Sequence, residues 1–396
     1  MMKNIWICVL LMAMVAQTQA SDFDVRQYGA KADGKSDDSM AISNAWKEAC
    51  KSSNPSKVLI PKGTYLVGPI KIQGPCQAPI TIQATQARFV APADINKFKS
   101  QNGWFAFQSV NGFTLLGGIF DGQGEVAWKK NDCAKTGKCG SLPINLSLHK
   151  ITNSRFEDVT SVDSKLFHMN VLNCKNLTLN RIKISAPENS LNTDGIHIGR
   201  SNGINITEAD IKTGDDCVSI GDGSQQVNIE KVRCGPGHGI AIGSLGKYPN
   251  EEPVIGISVT NCTITNTMNG VRVKTWPASP SDGIARSLHF KDIIMNNVST
   301  PILIDQEYCP YDQCKKEVPS KVKISDVSFE NIRGTSASKL AVQIRCSKGY
   351  PCDNVVLSNI NLGYHGKNGS ATSECANVKP KLTGHLFPPA CAVSTT

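Results

Sequence analysis

A pattern of apolar positions eight residues long recurs along the sequence, and it constrains the fold more than any other feature. Apolar residues occupy its first, third, sixth and eighth positions, as in the segment Leu177-Thr-Leu-Asn-Arg-Ile-Lys-Ile. Each copy predicts two short alternating strands joined by a bend. The copies begin at Leu177, Ile204, Val227, Ile257, Leu288, Val322 and Val355, with a weaker copy at Phe113.

Repeats of 23 to 34 residues predict coils stacked along one axis, because a single coil cannot bury its own apolar face. Leucine-rich repeats have a similar period, but their leucine and asparagine consensus is missing here. A β-propeller needs four strands in each repeat, which the pattern does not supply. We therefore predict an all-β chain folded as a right-handed parallel β-helix, although residues 140–170 show no clean coil.

The two ends of the chain depart from the repeat and predict caps, which a solenoid needs over its open ends. A short N-terminal capping helix is expected from about Ser39 to Cys50, with Asp37 or Asp38 as its N-cap. One face of this helix is apolar and consists of Ile42, Ala45, Trp46 and Ala49. The tail after Leu362 is loop-like and contains Cys375 and Cys391, which predicts a C-terminal cap held by a disulfide.

The first twenty residues predict a secretory signal peptide. Lys3 supplies its positive charge, Ile5 to Val15 form a short apolar run, and a small-residue cleavage site ends at Ala20. A transmembrane anchor is the alternative interpretation, but the apolar run is too short to span a bilayer. We predict a signal peptide over residues 1–20 and a single catalytic domain over residues 21–396, secreted to the extracellular space and the cell wall.

Cysteine usage agrees with secretion. The chain has 15 cysteines, and 14 remain after loss of the one in the signal peptide, an even number that predicts disulfides. Close pairs such as Cys217/Cys234, Cys346/Cys352 and Cys375/Cys391 make plausible bridges, but the sequence does not determine the connectivity. A glycoprotein is expected from the sequons at Asn145, Asn176, Asn205, Asn261, Asn297 and Asn368.

The formal net charge of +9 comes from scattered lysines and arginines, and only 6% of the residues are aromatic. A nucleic-acid binder more often carries a basic stripe, so nucleic acid is not an expected partner. A basic secreted protein is attracted to acidic extracellular polymers, although simple solubility explains the charge equally well. No membrane partner is expected, and a capped solenoid has no open edge that demands a partner, so we expect a monomer.

A second set of strands follows the repeat and carries polar residues in register. Four consecutive segments align when Asp194, Asp216, His238 and Asn269 are placed at the same position, two residues before an apolar residue. In a stacked parallel sheet, equivalent positions lie about 4.8 Å apart from coil to coil. Strict alternation would turn Asp194 inward, so we assume that these residues lie at the bend leading into each strand.

This alignment predicts a cluster of three carboxylates, because Asp215 precedes Asp216, with Arg272 and Lys274 on one side of a nearby strand. Crowded carboxylates repel one another and raise at least one pKa, which benefits an enzyme that must keep one carboxyl protonated. Inverting glycosidases need such an acid and a base about 6.5–9.5 Å apart. Taken singly, Asp194 is typical of a turn, and Gly214-Asp215-Asp216 of a tight turn or a calcium site. Gly237-His238-Gly239 is typical of an exposed flexible loop, and Arg272-Val-Lys274 of a solvated strand face.

The motifs Asn192-Thr-Asp194, Gly214-Asp-Asp216, Gly237-His-Gly239 and Arg272-Val-Lys274 occur in the order and spacing of the polygalacturonases, glycoside hydrolase family 28. The resemblance extends from the segment that begins at Phe23 to the C-terminal cysteines. Within the family the chain most resembles plant pollen polygalacturonases, which are usually described as exo-acting. Its one departure is Val273, where many relatives have isoleucine, a conservative change.

The resemblance implies a role for each matching residue. Asp215 would be the general acid, Asp194 and Asp216 would hold and deprotonate the attacking water, and His238 would tune their protonation. The resemblance also implies inversion at the anomeric carbon and no metal or organic cofactor. The residues that would bind or position the substrate are Asn192, Arg272, Lys274 and Tyr308.

We therefore predict a secreted hydrolase of α-1,4-linked galacturonan that prefers de-esterified homogalacturonan, because arginine and lysine pair with carboxylates. Exo action is expected from the resemblance alone, and endo action is the competing mode. A rhamnogalacturonan hydrolase is the nearest relative to exclude. A pectate-lyase-like eliminase and a non-catalytic wall-binding solenoid are two less favoured hypotheses for the same fold.

Overall fold

The computed structural model describes residues 21–98, 103–131, 142–310, 312, 314–367, 369–389 and 391–393. The predicted signal peptide and the sequon at Asn368 lie outside the described residues. Within those ranges, no helix combines the length and the apolar character that crossing a membrane requires.

The chain winds as a parallel β-helix with three faces, as the repeat predicts. The first face contains the strands Ser21–Asp24, Ser56–Leu59, Ile80–Gln83, Phe113–Leu116, Thr152–Glu157, Lys175–Asn180, Asn202–Thr207, Gln225–Glu230, Val254–Thr260, Gly283–Val298, Val322–Ser336, Asp353–Tyr364 and Lys381–Phe387. The second face contains Asp33–Asp37, Gly63–Leu66, Ala87–Val90, Ile119–Asp121, Thr160–Val162, Lys183–Ser185, Asp210–Lys212, Arg233–Cys234 and Thr263–Thr265. Three long strands of the first face, Gly283–Val298, Val322–Ser336 and Asp353–Tyr364, bend to continue across the second face.

The third face is a separate parallel sheet of twelve strands. Its strands are Ile70–Gln73, Gly103–Gln108, Ile144–His149, Met169–Leu172, Ile196–Gly199, Val218–Ile220, Ile240–Leu245, Asn269–Thr275, Thr300–Asp305, Leu340–Arg345, Thr372–Ala376 and Ala392–Val393. This sheet contains the strands of the second aligned set, and the outer surface of its middle coils carries the candidate site.

The register of the first face confirms the predicted repeat over most of its length. One row of paired residues contains Leu177, Ile204, Val227, Ile257 and Leu288. The predicted start at Val322 is wrong, because Leu288 pairs with Val327 while Val322 pairs with Gly283. The strand begins five residues before the row, and the apolar alternation in this extension resembles a repeat start. Val327 pairs in turn with Val355, the last predicted start.

A complete coil occupies residues 144–162, where the sequence showed none. Ser154 stands in the row between Phe113 and Leu177, at a position that is apolar in the other copies. Its Oγ accepts a hydrogen bond from the Phe113 backbone N–H at 3.0 Å and donates to the Thr152 carbonyl at 2.7 Å. The buried hydroxyl therefore replaces an apolar contact with two hydrogen bonds, which hides the coil from an apolar pattern.

The core is one continuous column of inward side chains from Val25 to Val378. Equivalent residues stack from coil to coil, as where Phe290 and Phe329 are paired in register with their ring centroids 5.0 Å apart. Since every coil contributes to this column, each coil is buried against its two neighbours rather than forming a core of its own.

The N-terminal end is closed by the predicted helix, Ser39–Lys51. Its buried face contains Ile42, Ala45, Trp46 and Ala49, as predicted. Asp38 precedes the helix, but its carboxylate accepts hydrogen bonds from the backbone N–H groups of Lys31 and Ala32 instead of capping it. Asp37 Oδ1 accepts from the Ser39 N–H at 2.9 Å. A second helix, Glu125–Lys130, lies on a connecting segment.

The three disulfides that the sequence suggested are formed, Cys217–Cys234, Cys346–Cys352 and Cys375–Cys391. Among the described residues, two further bridges join Cys50 to Cys76 and Cys309 to Cys314. Not every cysteine of the mature chain pairs, because Cys174 and Cys262 are free thiols. Both lie buried in the core column, where a thiol packs as a small apolar group.

Candidate active site

The site lies where four consecutive coils lead into the third face. Strand pairing joins Ile196 to Val218, Val218 to Ile240, and Ile240 to Val271. The residues two positions earlier are therefore equivalent, and they are Asp194, Asp216, His238 and Asn269. This register is the one that the sequence alignment predicted.

Asp194 turns toward the outer surface of the sheet, although strict alternation would place it inside. Its Oδ2 accepts a hydrogen bond of 2.8 Å from Ser219 Oγ. Ser219 occupies the outward position between the fully buried Val218 and Ile220 of the next coil. The bend before the strand therefore relaxes the alternation and brings this carboxylate to the cleft side.

Asp215 is held from three directions. Its Oδ1 accepts a 2.8 Å hydrogen bond from the Asp216 N–H and lies 3.0 Å from His238 Nδ1. Asn192 Nδ2 approaches the other oxygen at 3.5 Å. A backbone bond of 2.7 Å from the His238 N–H to the Asp215 carbonyl ties the two coils together. The carboxylate and the imidazole are thus fixed as a pair.

Two glycines allow the coils to approach at this point. A side chain at Gly214 would collide with the carbonyl oxygen of Ser190, one coil earlier. Gly239 has a φ of +91°, and a side chain there would collide with the carbonyl oxygen of Asn269. The glycines beside Asp215 and His238 are therefore needed for the close stacking that aligns those side chains.

Asp216 is almost fully buried, with 2% of its side chain exposed, and forms two ion pairs. Its Oδ1 lies 2.6 Å from Arg272 Nη2 and its Oδ2 lies 2.9 Å from Lys274 Nζ. Burial pushes the pKa of Asp216 upward, but Arg272 and Lys274 outweigh burial and hold the pKa below its usual value. Asp216 is therefore an ionised carboxylate.

The pKa of Asp194 is shifted in the opposite direction. Burial raises its pKa well above the usual value, and the negative charges of Asp215 and Asp216 raise it further. The hydrogen bond from Ser219 and the charge of Lys274 oppose this rise without cancelling it. Neighbouring carboxylates with pKa values moved in opposite directions are a mark of acid–base sites.

Aromatic rings line the next coils of the same cleft. Lys274 Nζ lies 5.2 Å from the centroid of the Tyr308 ring, and Tyr308 meets Trp276 edge to face at 5.6 Å. Lys247, on the loop that follows the strand Ile240–Leu245, lies with its Nζ 5.0 Å from the Trp276 centroid. Cations supported by aromatic faces suit an anionic sugar chain.

The structure brings all eight predicted site residues together. Six of them line one elongated cleft, namely Asn192, Asp194, Asp215, Asp216, Lys274 and Tyr308. His238 and Arg272 are in contact with Asp215 and Asp216. The lining residues come from successive coils, so the cleft runs along the stacking axis.

Sequence reasoning missed further residues that line the cleft, among them His197, Ser219, Lys247 and Tyr248. His197 and Ser219 could have been found, because each follows an aligned aspartate by three residues and is paired with the other across the coils. Lys247 and Tyr248 lie on a loop outside the repeat, where no register relates them to the site.

The donor atoms of Asp215, Asp216 and His238 lie within 4.8 Å of one another, close enough for a metal site to be considered. Ca²⁺ takes six to eight oxygen ligands. Here both oxygens of Asp216 are already paired with Arg272 and Lys274. The donor set therefore fits an ion-paired acid cluster better than the calcium site that Gly214-Asp215-Asp216 suggested.

Comparison with known proteins identifies the family of the whole chain. The family model described as glycosyl hydrolases family 28 matches residues 50–386. An exopolygalacturonase of Arabidopsis thaliana is 58% identical over 93% of this chain and 82% of its own length. An exopolygalacturonase of Oenothera organensis is 56% identical over 90% of this chain and 99% of its own.

Solved structures share the fold. The endo-xylogalacturonan hydrolase from Aspergillus tubingensis superposes with a TM-score of 0.79 at 23% identity, covering 94% of this chain and 100% of that one. The polygalacturonase from Erwinia carotovora gives 0.73 at 21% identity, covering 91% and 97%. With the family model spanning most of the chain and relatives above 50% identity, this protein belongs to glycosyl hydrolases family 28.

Proposed function

We propose that this chain hydrolyses the α-1,4-galacturonosyl linkages of de-esterified homogalacturonan, the pectin backbone, and that it acts from the chain end. The observation that carries the proposal is the carboxylate cluster of Asp194, Asp215 and Asp216 beside Arg272 and Lys274. Relatives more than 50% identical over most of the chain are named exopolygalacturonase or polygalacturonase, which supports the same reaction and substrate.

In the proposed mechanism, Asp215 donates a proton to the glycosidic oxygen. Asp194 and Asp216 orient the attacking water and take its proton. The ionised state of Asp216 suits a base, and the raised pKa of Asp194 means that this group holds a proton readily. His238 contacts only Asp215 among the three, at 3.0 Å, and so would tune the acid. Hydrolysis through these groups inverts the anomeric carbon, which proton NMR of the first product tests.

Arg272, Lys274 and Tyr308 are proposed to bind the uronate at the cleavage point, and Asn192 to position Asp215. Arg272 and Lys274 are already held by Asp216, so the substrate carboxylate meets cations that are fixed before it arrives. A methyl ester would forfeit the charged contact. The rate should therefore fall as the degree of esterification rises, and equal rates on both substrates would contradict this part of the proposal.

Exo action is supported by the names of the relatives, since two that are more than 55% identical over at least 90% of this chain are exopolygalacturonases. Early products from a long galacturonan test the mode, because monomer alone means exo action and a ladder of oligomers means endo action.

The proposed acid is tested by Asp215→Asn, which keeps the shape and removes the ionisable group. Release of reducing sugar from polygalacturonate should fall by at least about 10²-fold, the usual contribution of a positioned acid. Asp210→Asn is the matched control, because Asp210 pairs with Arg233 on the second face, outside the site. An unchanged rate in Asp215→Asn would remove this residue from the mechanism.

Hydrolysis is separated from elimination and from simple wall binding by the products. Elimination leaves an unsaturated sugar end that absorbs ultraviolet light and depends on calcium. We expect reducing ends without this absorbance, and no loss of rate with a chelator. A binding solenoid would release neither product.

We also propose that residues 1–20 are a signal peptide, that residues 21–396 form one catalytic domain, and that the protein acts in the cell wall. The continuous core from Val25 to Val378 supports a single domain. The five disulfides among the described residues support an extracellular location. N-terminal sequencing of the secreted protein tests the first point, with Ser21 as the expected first residue.

A further inference from the structure

A chain of hydrogen bonds leads from Asp194 to a histidine in the same cleft. Ser219 Oγ lies 2.8 Å from Asp194 Oδ2 and 2.8 Å from His197 Nδ1. His197 and Ser219 are paired across adjacent coils, and His197 follows Asp194 by three residues. None of the roles proposed above uses either residue.

We propose that Ser219 and His197 are positioning residues that form a proton relay, through which Asp194 exchanges its proton with the cleft. The proposal rests on the function proposed above, because it assigns a task to two further residues of the same site. A base that has taken a proton from water must release it before the next turnover, and Asp194 is only 7% exposed to water for that release.

The single hydrogen of the Ser219 hydroxyl makes the two bonds dependent on each other. When Asp194 is ionised, Ser219 donates to it and must accept from Nδ1–H of His197, which leaves Nε2 without a hydrogen. When Asp194 is protonated, its O–H donates to Ser219, whose hydrogen turns to Nδ1, and Nε2 carries the hydrogen. The charge state of Asp194 therefore sets the tautomer of His197.

Release of a proton through this chain is balanced. The proton on Asp194 moves to Ser219 Oγ, the Ser219 hydrogen moves to His197 Nδ1, and the hydrogen on Nε2 leaves to water in the cleft. One proton enters at the carboxylate and one leaves at the imidazole, with no change in the number of electrons. The ring is left with its hydrogen on Nδ1, and its return to the Nε2–H tautomer takes place by exchange of protons with water of the cleft.

The surroundings of the imidazole keep it neutral and leave Nε2 accessible. Burial lowers the pKa of His197 to about 4, with Asp216 and Asp222 opposing and Lys274 supporting the shift. The ring of Phe167 covers one side, with centroids 5.1 Å apart. Nε2 lies beside Gly199 and Gly221, at 3.8 and 3.6 Å from the place of a Cβ on each. His197 lines the cleft, so the ring meets the water of the cleft.

The other ionisable groups near the relay act at both of its ends. Asp215, Asp216 and Lys274 act on Asp194, and Asp216, Lys274 and Asp222 act on His197. The strand on the upstream side of His197 presents Asn170 in register, which carries no charge. Ser219 and His197 therefore give the Asp194 carboxylate a continuous hydrogen-bonded path to the cleft that passes through no other charged group.

The test compares His197→Ala, Ser219→Ala and Ser219→Thr on polygalacturonate. We expect His197→Ala to lower kcat by roughly 10-fold or more with KM within about 2-fold, and added imidazole to restore much of the loss. Ser219→Ala should move the acidic limb of the kcat/KM profile to higher pH, because its hydrogen bond lowers the pKa of Asp194. Ser219→Thr, which keeps the hydroxyl, should restore the wild-type limb.

His149→Ala is the matched control, because His149 is also a histidine on the third face, bonded to Asn173 and outside the cleft lining. It should show neither the loss nor the response to imidazole. If His197→Ala does not fold, His197→Gln replaces it, because an amide can bond to Ser219 but cannot pass a proton. We expect His197→Gln to have a lowered kcat. A wild-type kcat in this variant would overturn the relay.

The relay is also overturned if His197→Ala keeps the wild-type kcat and pH profile, or if its loss of rate does not respond to imidazole in a folded protein. A wild-type protein that releases no galacturonic acid would instead overturn the proposed function. The two failures are therefore distinguishable in one set of assays.

Discussion

At the scale of single residues, the site shows how three aspartates acquire different charge states from their neighbours. Asp216 is ionised because two cations reach both of its oxygens, whereas Asp194 is buried against two other carboxylates and receives one hydroxyl. Desolvation acts on both groups, so the cations decide the difference.

Asp194→Asn should stabilise the protein at neutral pH. The folded-state pKa of Asp194 is raised, so stability is lost as pH rises from the unfolded pKa through the folded one. The variant lacks this loss, and its Tm at pH 7 should exceed the wild-type Tm by about 2 °C, with the difference vanishing near pH 4. Thermal unfolding at both pH values checks this, and a lower Tm at pH 7 would contradict it.

Arg272→Met should destabilise the protein, because it leaves Asp216 buried with one cation instead of two. The pKa of Asp216 is depressed in the folded state, so the stabilisation is present above the unfolded pKa and is lost as pH falls. Breaking a buried pair costs about 3–5 kcal/mol, and the remaining Lys274 places the expected loss near the lower figure.

Urea unfolding at pH 7 and near pH 4 measures the loss caused by Arg272→Met, which should be smaller at the lower pH. Arg233→Met is its control, since the exposed pair of Arg233 with Asp210 should contribute less than about 1 kcal/mol. Equal losses in the two variants would show that burial does not distinguish these pairs.

Much of this site could be predicted because the coils repeat. Alignment of one strand per coil placed Asp194, Asp216 and His238 together from sequence alone. It could not predict the ionised state of Asp216, which depends on Arg272 and Lys274 from two coils farther along the chain. Nor did it predict the Asp194–Ser219 bond, because the side-chain direction at a bend is not fixed by alternation.

At the scale of elements, a coil could be predicted wherever its residue in the paired row is apolar. The prediction failed where a polar side chain occupies that row. The coil over residues 144–162 was missed because Ser154 stands in the apolar row. The start at Val322 was misplaced because an extended strand carries apolar alternation before its row. The spacing of apolar residues indicates which side chains are buried, but it does not fix which residues pair between strands. Both errors arise at positions where the burial pattern and the strand register differ.

Ser154→Val should destabilise the protein although it restores the apolar pattern. The change leaves the buried N–H of Phe113 without its acceptor, at a cost of about 1–3 kcal/mol. Ser154→Thr keeps the hydroxyl and is the control. Denaturant unfolding of both variants decides the point, and a Val variant as stable as wild type would mean that the hydroxyl contributes nothing.

At the scale of the whole molecule, the stack needs closed ends as well as matched coils. The helix Ser39–Lys51 covers the N-terminal end, and its Trp46 is 2% exposed with its indole N–H donating 3.1 Å to the Gln73 carbonyl. The disulfide Cys50–Cys76 ties the end of this helix to a neighbouring coil. The sequence predicted the helix and its buried face, while the cysteine partner required the fold.

Trp46→Ala should open this end of the stack. Loss of a buried tryptophan costs about 3–5 kcal/mol and exposes apolar core to water, so we expect a lower Tm and greater binding of a hydrophobic dye. Met40→Ala is the control, because Met40 lies on the same helix with 65% of its surface exposed. Equal Tm values for the two variants would mean that the helix does not seal the core.

The cleft draws its residues from Phe167 through Tyr308, a long span of a chain that stacks coil upon coil. No single coil contains both the acids and the cations. A polypeptide still being synthesised therefore has no complete centre until the coil carrying Arg272 and Lys274 has docked. Hydrolysis by the proposed site therefore cannot begin before this part of the β-helix has folded.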